Sequence, residues 1–217
     1  MHHPTIFRTL EFIKNQQNPD GSFHSTTFNL KDKTQKSTLT PFTTSLILCC
    51  LKDFKDYPIV KIIVAKGIDF LMGEKSENWS WNYWPRNSRE MREHPCPDDL
   101  DDTFCALTAI TIHKPELITP KAFVKITESL MQTEDQVGGP YNTWLIDFKK
   151  NKVWKDIDIV VNMNISYFLK LHGVHLPKLD RFIKKTIKNS VINKKSLSKY
   201  YSPSIIKYLS SRLYGKI

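Results

Sequence analysis

Four aspartates stand within five positions near the middle of this chain, in the segment PCPDDLDDTFCAL at residues 95–107. Carboxyl groups crowded in this way cannot all ionise without strong mutual repulsion, so at least one keeps its proton near neutral pH. A carboxyl group that still holds a proton can act as a general acid. The segment is therefore the first candidate for a catalytic site, and its candidate acids are Asp99, Asp101 and Asp102.

Aromatic residues crowd the chain just before the acids and recur after them. An acid that protonates a carbon–carbon double bond creates a carbocation, and aromatic faces attract cations through the ring quadrupole. Asp158 and Asn162 lie one helical turn apart on a later helix and are suited to line the same cavity. The candidate substrate-contacting aromatics are Trp79, Trp81, Tyr83, Trp84, Phe104, Tyr141 and Trp144.

Structural explanations compete with each of these assignments. Aspartates at a helix N-terminus cap free amides and complement the helix dipole, although four aspartates exceed what capping needs. The aromatic residues could belong only to the core. A helix cap and an inter-helix hydrogen bond would explain Asp158 and Asn162 equally well.

Apolar residues recur three and four positions apart through most of the chain, which predicts helices. Proline stands at or near the start of most of these segments, where its missing amide hydrogen removes no helical bond. We therefore predict an all-α fold without a substantial sheet. The predicted helices cover 4–17, 41–54, 58–75, 98–113, 120–134, 157–172, 178–192 and 203–214, and the prolines are Pro4, Pro41, Pro58, Pro97, Pro120, Pro177 and Pro203.

Long loops at 18–39, 76–96 and 135–155 follow the first, third and fifth predicted helices, which indicates a helix-pair repeat of about 60 residues. The odd helices also end alike, in a polar stretch, a turn and an aromatic residue. Glycine is expected to form the turn after the helix, at Gly21 and Gly138. We expect these endings to be clasps that tie an outer helix to its neighbour. The three endings read LEFIKNQQNPDGSF, IDFLMGEKSENWSW and ESLMQTEDQVGGPY.

The first ending resembles the QW repeat (Q-x-x-D-G-x-W) of triterpene cyclases and related isoprenoid α/α-toroid proteins, with phenylalanine in place of tryptophan. The second copy has lost both the glutamine and the glycine, and the third keeps them at altered spacing. The matching residues are Gln17, Asp20, Gly21 and Phe23 in the first copy, and Gln132, Asp135, Gly138, Gly139 and Tyr141 in the third.

The acid segment resembles the D-x-D-D-T motif of class II terpene cyclases such as squalene–hopene cyclase, at residues 99–103. In that family the motif opens an inner helix of an α/α barrel, and its central aspartate protonates an alkene or epoxide. The resemblance covers roughly residues 4–175. It implies that Asp101 is the proton donor, with Asp99 and Asp102 as its supporting carboxylates.

The resemblance further implies one α/α toroid-like domain over residues 1–217, a partial barrel of about eight helices in helix pairs. The implied activity is protonation-initiated cyclisation of a linear isoprenoid, an isomerase reaction that requires no cofactor. Mg²⁺ would enter only with a diphosphate substrate. Whether a second copy completes the cavity, as a homo-oligomer, stays open.

Two other functions stay open. One is a non-catalytic toroid module that binds an isoprenoid or a partner. The other is a Mg²⁺-dependent diphosphate lyase, because Asp98, Asp99 and Asp102 also resemble the D-D-x-x-D motif of class I terpene synthases. The N-D-x-x-S-x-x-x-E motif that accompanies it in such enzymes is absent from this sequence.

Charge is unevenly distributed along the chain, whose net charge is +10. The segment 178–217 holds eleven Lys and Arg and one acid, whereas the remainder holds 21 of each sign. A basic segment beside a neutral body predicts contact with an anionic membrane or a diphosphate, unless it is simply a solvated helical face. No nucleic-acid-binding motif is present.

The four cysteines form no C-x-x-C pair, so we expect free thiols and no metal site. No apolar run approaches the roughly 20 residues of a membrane span. The N-terminus lacks a signal-peptide pattern. We expect a cytoplasmic protein that contacts membranes only peripherally.

Overall fold

The computed structural model describes residues 4–29, 32–146, 154–193 and 197–215. These ranges contain nine α-helices and one antiparallel β-hairpin, with 3-10 helices at Leu51–Phe54 and Pro115–Leu117. The prediction of an all-α class is confirmed for this part of the chain. The elements are α1 (Pro4–Gln16), β1 (His24–Phe28), β2 (Gln35–Leu39), α2 (Pro41–Cys50), α3 (Pro58–Glu74), α4 (Arg89–Glu93), α5 (Leu100–His113), α6 (Pro120–Gln132), α7 (Ile159–Leu171), α8 (Pro177–Asn193) and α9 (Pro203–Tyr214).

Two elements lie inside segments that the sequence predicted to be loops. The hairpin of β1 and β2 occupies most of 18–39, where β-branched threonines favour extended backbone. Helix α4 lies within 76–96 and starts because the Ser88 hydroxyl accepts a hydrogen bond from the Met91 amide at 3.0 Å. Part of the third predicted loop, at 147–153, lies outside the described residues.

Proline is the first residue of α1, α2, α3, α6, α8 and α9, as predicted. The prediction was wrong at Pro97, because α5 begins three positions later. Asp99 caps this helix by accepting a hydrogen bond from the Asp102 amide at 2.8 Å, and its own backbone is extended. Asp98 therefore precedes the helix and does not lie one helical turn from Asp102.

Helices without a polar face lie in the interior of the molecule, as expected for segments that are apolar on all sides. In α5, every residue from Leu100 to Ile110 is buried, and α7 is buried almost as completely. Helix α5 packs against both α2 and α7, and α9 packs against α7. The Tyr208 hydroxyl of α9 also lies 3.6 Å from the Cys50 sulfur of α2. Helix α3 contacts α1, α2 and α5, and α8 contacts α7. The acid motif thus opens one of the two most buried helices.

The first helix ending forms the clasp that the sequence predicted. Gln17 Nε2 donates hydrogen bonds to the carbonyl of Gly21 at 3.0 Å and to that of Ile63 at 2.9 Å, which joins the end of α1 to α3. Gly21 has a φ of +93°, and a Cβ there would lie 2.0 Å from the Lys66 carbonyl oxygen. Phe23 is buried behind the turn. Only glycine fits so close to the neighbouring helix.

The other two endings use different bonds. The indole of Trp81 donates to the Leu71 carbonyl at the end of α3, at 2.7 Å. In the third ending, the hydroxyl of Tyr141 donates to Glu134 Oε1 at 3.3 Å. Gln132 is exposed, so the glutamine of the third copy does not occupy the buried position of Gln17. The three helix endings therefore share a buried aromatic residue, but they do not share the glutamine of the first ending.

The basic C-terminal segment comprises α8, α9 and the residues that join them. Lys194, Lys195 and Lys216, which contribute to its predicted charge, lie outside the described residues. Within the described ranges, no helix combines the length and the apolar character needed to cross a bilayer.

Candidate active site

Two loops hold the start of α5 in place. The Asp99 amide donates to the Trp81 carbonyl at 3.2 Å, and the Leu100 amide donates to the Thr143 carbonyl at 2.8 Å. The loop after α3 and the loop after α6 therefore meet at the acid motif. Aromatic residues from both loops are carried to the same end of the helix.

A cavity of about 120 Å³ lies at this end of α5. The three predicted acids border it, together with the predicted aromatics Tyr83 and Trp144. Tyr83 and Tyr200 are 40% and 54% exposed and form its rim. The described residues that line it are Tyr83, Asp99, Asp101, Asp102, Thr143, Trp144, Val161, Tyr200 and Tyr201.

The other predicted contact residues do not border this cavity. Trp81, Phe104 and Tyr141 are at most 2% exposed and belong to the hydrophobic core. Trp84 packs edge-on against Tyr83 with ring centroids 4.7 Å apart, behind the rim. Trp79 packs against Trp81 and beneath the ammonium of Lys75. The structure thus divides the predicted aromatic set into two wall residues and five supporting residues.

Asp158 and Asn162 hold the scaffold around the cavity together. Asn162 accepts a hydrogen bond from the Tyr141 amide at 2.9 Å and donates to the Tyr141 carbonyl at 3.0 Å. Asp158 caps α7 through the Val160 amide and accepts a hydrogen bond of 2.6 Å from the Ser198 hydroxyl. Neither side chain lies on the cavity wall. Their contacts match the structural explanation, a helix cap and hydrogen bonds between elements.

Asp101 receives hydrogen bonds from distant parts of the chain. Asn164 Nδ2 donates to its Oδ1 at 2.7 Å, and the Tyr201 hydroxyl donates to its Oδ2. Arg212 Nη2 in turn donates to Asn164 Oδ1 at 2.5 Å. Burial raises the pKa of Asp101 to about 6, and the hydrogen bonds from Tyr201 and Asn164 oppose that rise. About a tenth of Asp101 therefore carries a proton at pH 7.

Asp99 and Asp102 form a separate buried carboxyl pair. Burial raises the pKa of Asp99 to about 7 and repulsion from Asp101 adds to the rise, whereas the hydrogen bond from the Asp102 amide opposes it. Burial, and then repulsion from Asp99 and Asp101, raises the pKa of Asp102 well above its ordinary value. Among the described residues, Asp102 Oδ1 is buried without a hydrogen-bond partner. The direction of each pKa therefore favours retention of a proton by the cluster.

Sequence reasoning missed Asn164, Tyr201 and Arg212 as parts of this site. An asparagine inside the apolar run IVVNMNISYF is a local signal, because a buried amide needs hydrogen-bond partners. Tyr201 and Arg212 lie in the basic segment and carry no such signal. Tyr201 reaches Asp101 across 100 positions of sequence.

Asp98 is directed away from the other acids. Its carboxylate pairs with Arg86 Nη2 at 3.0 Å and accepts a hydrogen bond of 2.5 Å from the Ser80 hydroxyl. Asp98 does not border the cavity. The three carboxylates of the D-D-x-x-D interpretation, Asp98, Asp99 and Asp102, therefore do not face one common site. In the described part of the chain, no group of three or more His, Cys, Asp or Glu side chains is arranged to hold a metal ion.

A larger cavity lies elsewhere, between α1, the hairpin and α2. It measures about 1060 Å³, and among the described residues that line it there is no carboxylate. We assign the chemistry to the smaller cavity, because that is where groups able to hold and transfer a proton meet.

The acid cavity combines a carboxyl group whose pKa burial raises to about 6, two hydrogen-bond donors that stabilise its anion, and four aromatic residues on the wall. Such a site can transfer a proton to a bound group and stabilise the positive charge that results. The chain matches no protein-family model and no curated protein closely enough to identify a family.

Proposed function

We propose that this chain catalyses protonation-initiated cyclisation of a linear isoprenoid, with Asp101 as the general acid. One observation carries the proposal: Asp101 borders a cavity whose wall also includes the four aromatic residues Tyr83, Trp144, Tyr200 and Tyr201. Carboxylates that serve only as helix caps do not need such a neighbourhood. Asp99 already caps α5, so Asp101 is not needed for that purpose.

The chemical step uses groups with defined contacts. The O–H bond of protonated Asp101 breaks as a new C–H bond forms with the π electrons of a terminal double bond, which leaves a carbocation on the substrate. Asn164 and Tyr201 then stabilise the carboxylate through their hydrogen bonds. The rings of Trp144 and Tyr83 face the cation, which a second double bond attacks to close a ring. Loss of a proton completes the reaction without net redox change.

The size of the cavity limits how the substrate is held. Pockets that enclose whole small molecules measure roughly 300–1,000 Å³, whereas this cavity measures about 120 Å³. It accommodates the reacting end of an isoprenoid, and the rest of the chain must extend past the exposed rim of Tyr83 and Tyr200. Rearrangement of the rim on binding would enlarge the space for ring closure.

The packing of the helices supports a partial α/α toroid as the scaffold. The interior helices α2, α5, α7 and α9 pack side by side in chain order, and α1, α3 and α8 lie against them or against one another from outside. The acid motif lies at the start of α5, one of these interior helices.

The charge distribution on α8 supports the proposal that the protein takes its substrate from an anionic membrane. Lys178, Arg181, Lys185 and Lys188 are exposed on one side of α8, at positions that fall within about one quarter of the helix circumference. Leu179 lies on the opposite side and is buried. Isoprenoids partition into membranes, so a basic stripe would hold the protein near its substrate.

The test is turnover of a panel of linear isoprenoids, with and without diphosphate, followed by mass-spectrometric product analysis. Asp101→Asn should lower turnover by roughly 10²- to 10⁴-fold. Asp98→Asn is the matched control and should retain activity, because Asp98 does not border the cavity. Cyclic products that form equally well with Asp101→Asn would refute the mechanism.

Two further outcomes separate the alternatives. Binding of an isoprenoid by the wild-type protein without product would indicate a non-catalytic binding module. Turnover confined to diphosphate-bearing substrates, with release of diphosphate and complete loss on addition of EDTA, would indicate the Mg²⁺-dependent lyase, because that reaction starts by breaking the bond to the diphosphate.

A further inference from the structure

We infer that Arg212 is a positioning residue for Asp101, acting through Asn164 to keep Oδ1 an acceptor and to place the transferable proton on Oδ2. The inference rests on the proposed function, because it names the group that prepares the acid. It also concerns a residue of the last helix, in a segment whose basic character otherwise indicates an external partner.

The first step is an unbroken line of hydrogen bonds from Arg212 to Asp101. Arg212 Nη2 lies 2.5 Å from Asn164 Oδ1, and Asn164 Nδ2 lies 2.7 Å from Asp101 Oδ1. Asn164 is 1% exposed, so water does not compete for its amide. The line joins α9, α7 and α5 in the interior of the molecule.

The second step is the position of the guanidinium. The Cζ atom of Arg212 lies 4.3 Å from the ring centroid of Tyr167, within the range of a favourable cation–π contact. Its Nε and Nη1 atoms are buried and have no hydrogen-bond partner among the residues that the structure describes. The Tyr167 ring and the Asn164 carbonyl are thus the contacts that hold the guanidinium in this orientation. A buried cation usually pairs with a carboxylate, and neither of these contacts is one.

The third step is the direction in which the amide of Asn164 must point. A guanidinium has only donors, whereas an asparagine amide has an acceptor at one end and donors at the other. Arg212 therefore fixes the carbonyl end of Asn164 toward itself, and the NH₂ end must face Asp101. An NH₂ group cannot accept a hydrogen bond, so a proton on Oδ1 of Asp101 would face a donor.

The consequence is that protonated Asp101 carries its hydrogen on Oδ2. That oxygen contacts the hydroxyl of Tyr201, which can accept as well as donate, and Tyr201 lines the cavity. When the proton leaves, the charge of Arg212 favours the carboxylate that remains. The same residue thus selects the reactive oxygen and strengthens the acid.

Other ionisable groups face Asp101, and their contributions must stay constant in a test. Repulsion from Asp158 raises the pKa of Asp101, whereas the charge of Arg212 lowers it. The charge of Asp101 in turn raises the pKa of Asp99, Asp102, Cys105 and Tyr201. The ionisable groups near Asp101 are Asp99, Asp102 and Cys105 on α5, Asp158 at the start of α7, and Tyr201 and Arg212 in the C-terminal segment.

The experiment titrates the Asp101 carboxyl group directly, by ¹³C NMR of protein labelled at the aspartate side-chain carboxyl and assigned with Asp101→Asn. Arg212→Met removes the charge and the donor at similar length, and should move the Asp101 titration upward by roughly half a pH unit or more. In the turnover assay it should lower kcat by about 10- to 100-fold, with a smaller change in KM. Arg181→Met, on the exposed stripe of α8, is the matched control and should change neither quantity.

A second variant keeps the test decisive if Arg212→Met does not fold. Arg212→Gln retains a donor for Asn164 but no charge, so it should fold and still raise the Asp101 titration. An Asp101 titration that is the same in both Arg212 variants as in the wild type would overturn the inference. If Asp101→Asn leaves turnover intact, the proposed function fails, and the NMR titration still decides whether Arg212 acts on Asp101.

Discussion

Asn164 of α7 donates a hydrogen bond of 2.7 Å to Asp101 of α5, across 63 positions of sequence. Tyr201 bonds the other oxygen of the same carboxyl group from the segment that leads into α9. Both oxygens of Asp101 are therefore bonded by elements other than its own helix. The acidity of this side chain is a property of the tertiary structure, and substitutions far away in sequence should change it.

Tyr201→Phe should shift the pH dependence of turnover to higher pH. The hydrogen bond from Tyr201 lowers the pKa of Asp101, which is about 6, so its removal raises that pKa. Because the protonated form is the active one, turnover falls as the pH rises through this pKa, and the variant should lose activity at a higher pH. The pH–rate profile of kcat is the measurement. Tyr208→Phe is the control, and an identical shift in both variants would contradict a specific role for Tyr201.

The buried carboxyl cluster should make the protein less stable above neutral pH. The folded-state pKa values of Asp99, Asp101 and Asp102 are raised above 3.8, so the folded state binds more protons than the unfolded state. The stabilising contribution of Asp99 and Asp101 is complete below about pH 4 and is lost as the pH rises through about 6 to 7, and that of Asp102 changes in the same direction. For Asp101 alone, the difference between 3.8 and about 6 corresponds to about 3 kcal/mol.

Asp102→Asn tests this pH dependence by removing one member of the cluster. At pH 8 we expect the free energy of unfolding to rise by about 1–3 kcal/mol, because a neutral amide replaces a buried carboxyl group that would be repelled by Asp99 and Asp101 on ionising. Urea unfolding at pH 5 and pH 8 measures the effect. The exposed substitution Asp69→Asn should change stability by less than about 0.5 kcal/mol. If the wild type and Asp102→Asn lose the same unfolding free energy between pH 5 and pH 8, the carboxyl cluster is not the cause of the pH dependence.

Gly21→Ala and Gly73→Ala should have opposite effects on stability. At Gly21 an added Cβ would lie 2.0 Å from the Lys66 carbonyl oxygen, and the φ of +93° disfavours alanine, so we expect a loss of roughly 2–4 kcal/mol. At Gly73, inside α3, an added Cβ meets nothing within 4 Å, and alanine should stabilise the helix by about 0.5–1 kcal/mol. Denaturant midpoints compare the two. A neutral Gly21→Ala would show that the clasp can shift away from α3.

The basic stripe on α8 should bind anionic vesicles. Replacing Arg181, Lys185 and Lys188 together by glutamine should weaken binding to phosphatidylserine-containing vesicles on the order of 100-fold, at about 1 kcal/mol per charge. Cosedimentation measures this, and high salt should abolish binding. The control replaces three exposed lysines outside α8 by glutamine: Lys14, Lys61 and Lys121. An equal loss in the control would indicate general charge attraction and no role for the stripe.

How well each feature could be predicted depends on the range of the forces that produce it. Helix starts were predictable where proline or a capping side chain acts on the next few residues, as at Pro41 and Thr40. The Gln17 clasp was also predictable, because its turn is local. The prediction failed at Pro97, since the cap formed by Asp99 competes for the same helix start. The short hairpin was missed because threonine-rich segments of five residues carry little periodic signal.

The amino-acid sequence by itself determined that a cluster of aspartates opens an apolar helix, because capping, helical periodicity and charge repulsion act over a few positions. It also indicated that the loop before that helix is rich in aromatic residues. Only the tertiary structure decided that Asp101, and neither Asp98 nor Asp158, shares a cavity with Tyr83, Trp144, Tyr200 and Tyr201. It also decided that Asn164 and Tyr201 bond the Asp101 carboxyl group and that Arg212 bonds Asn164. Hydrogen bonds and burial at this site depend on contacts between elements that are distant in sequence, and no local pattern in the chain specifies those contacts.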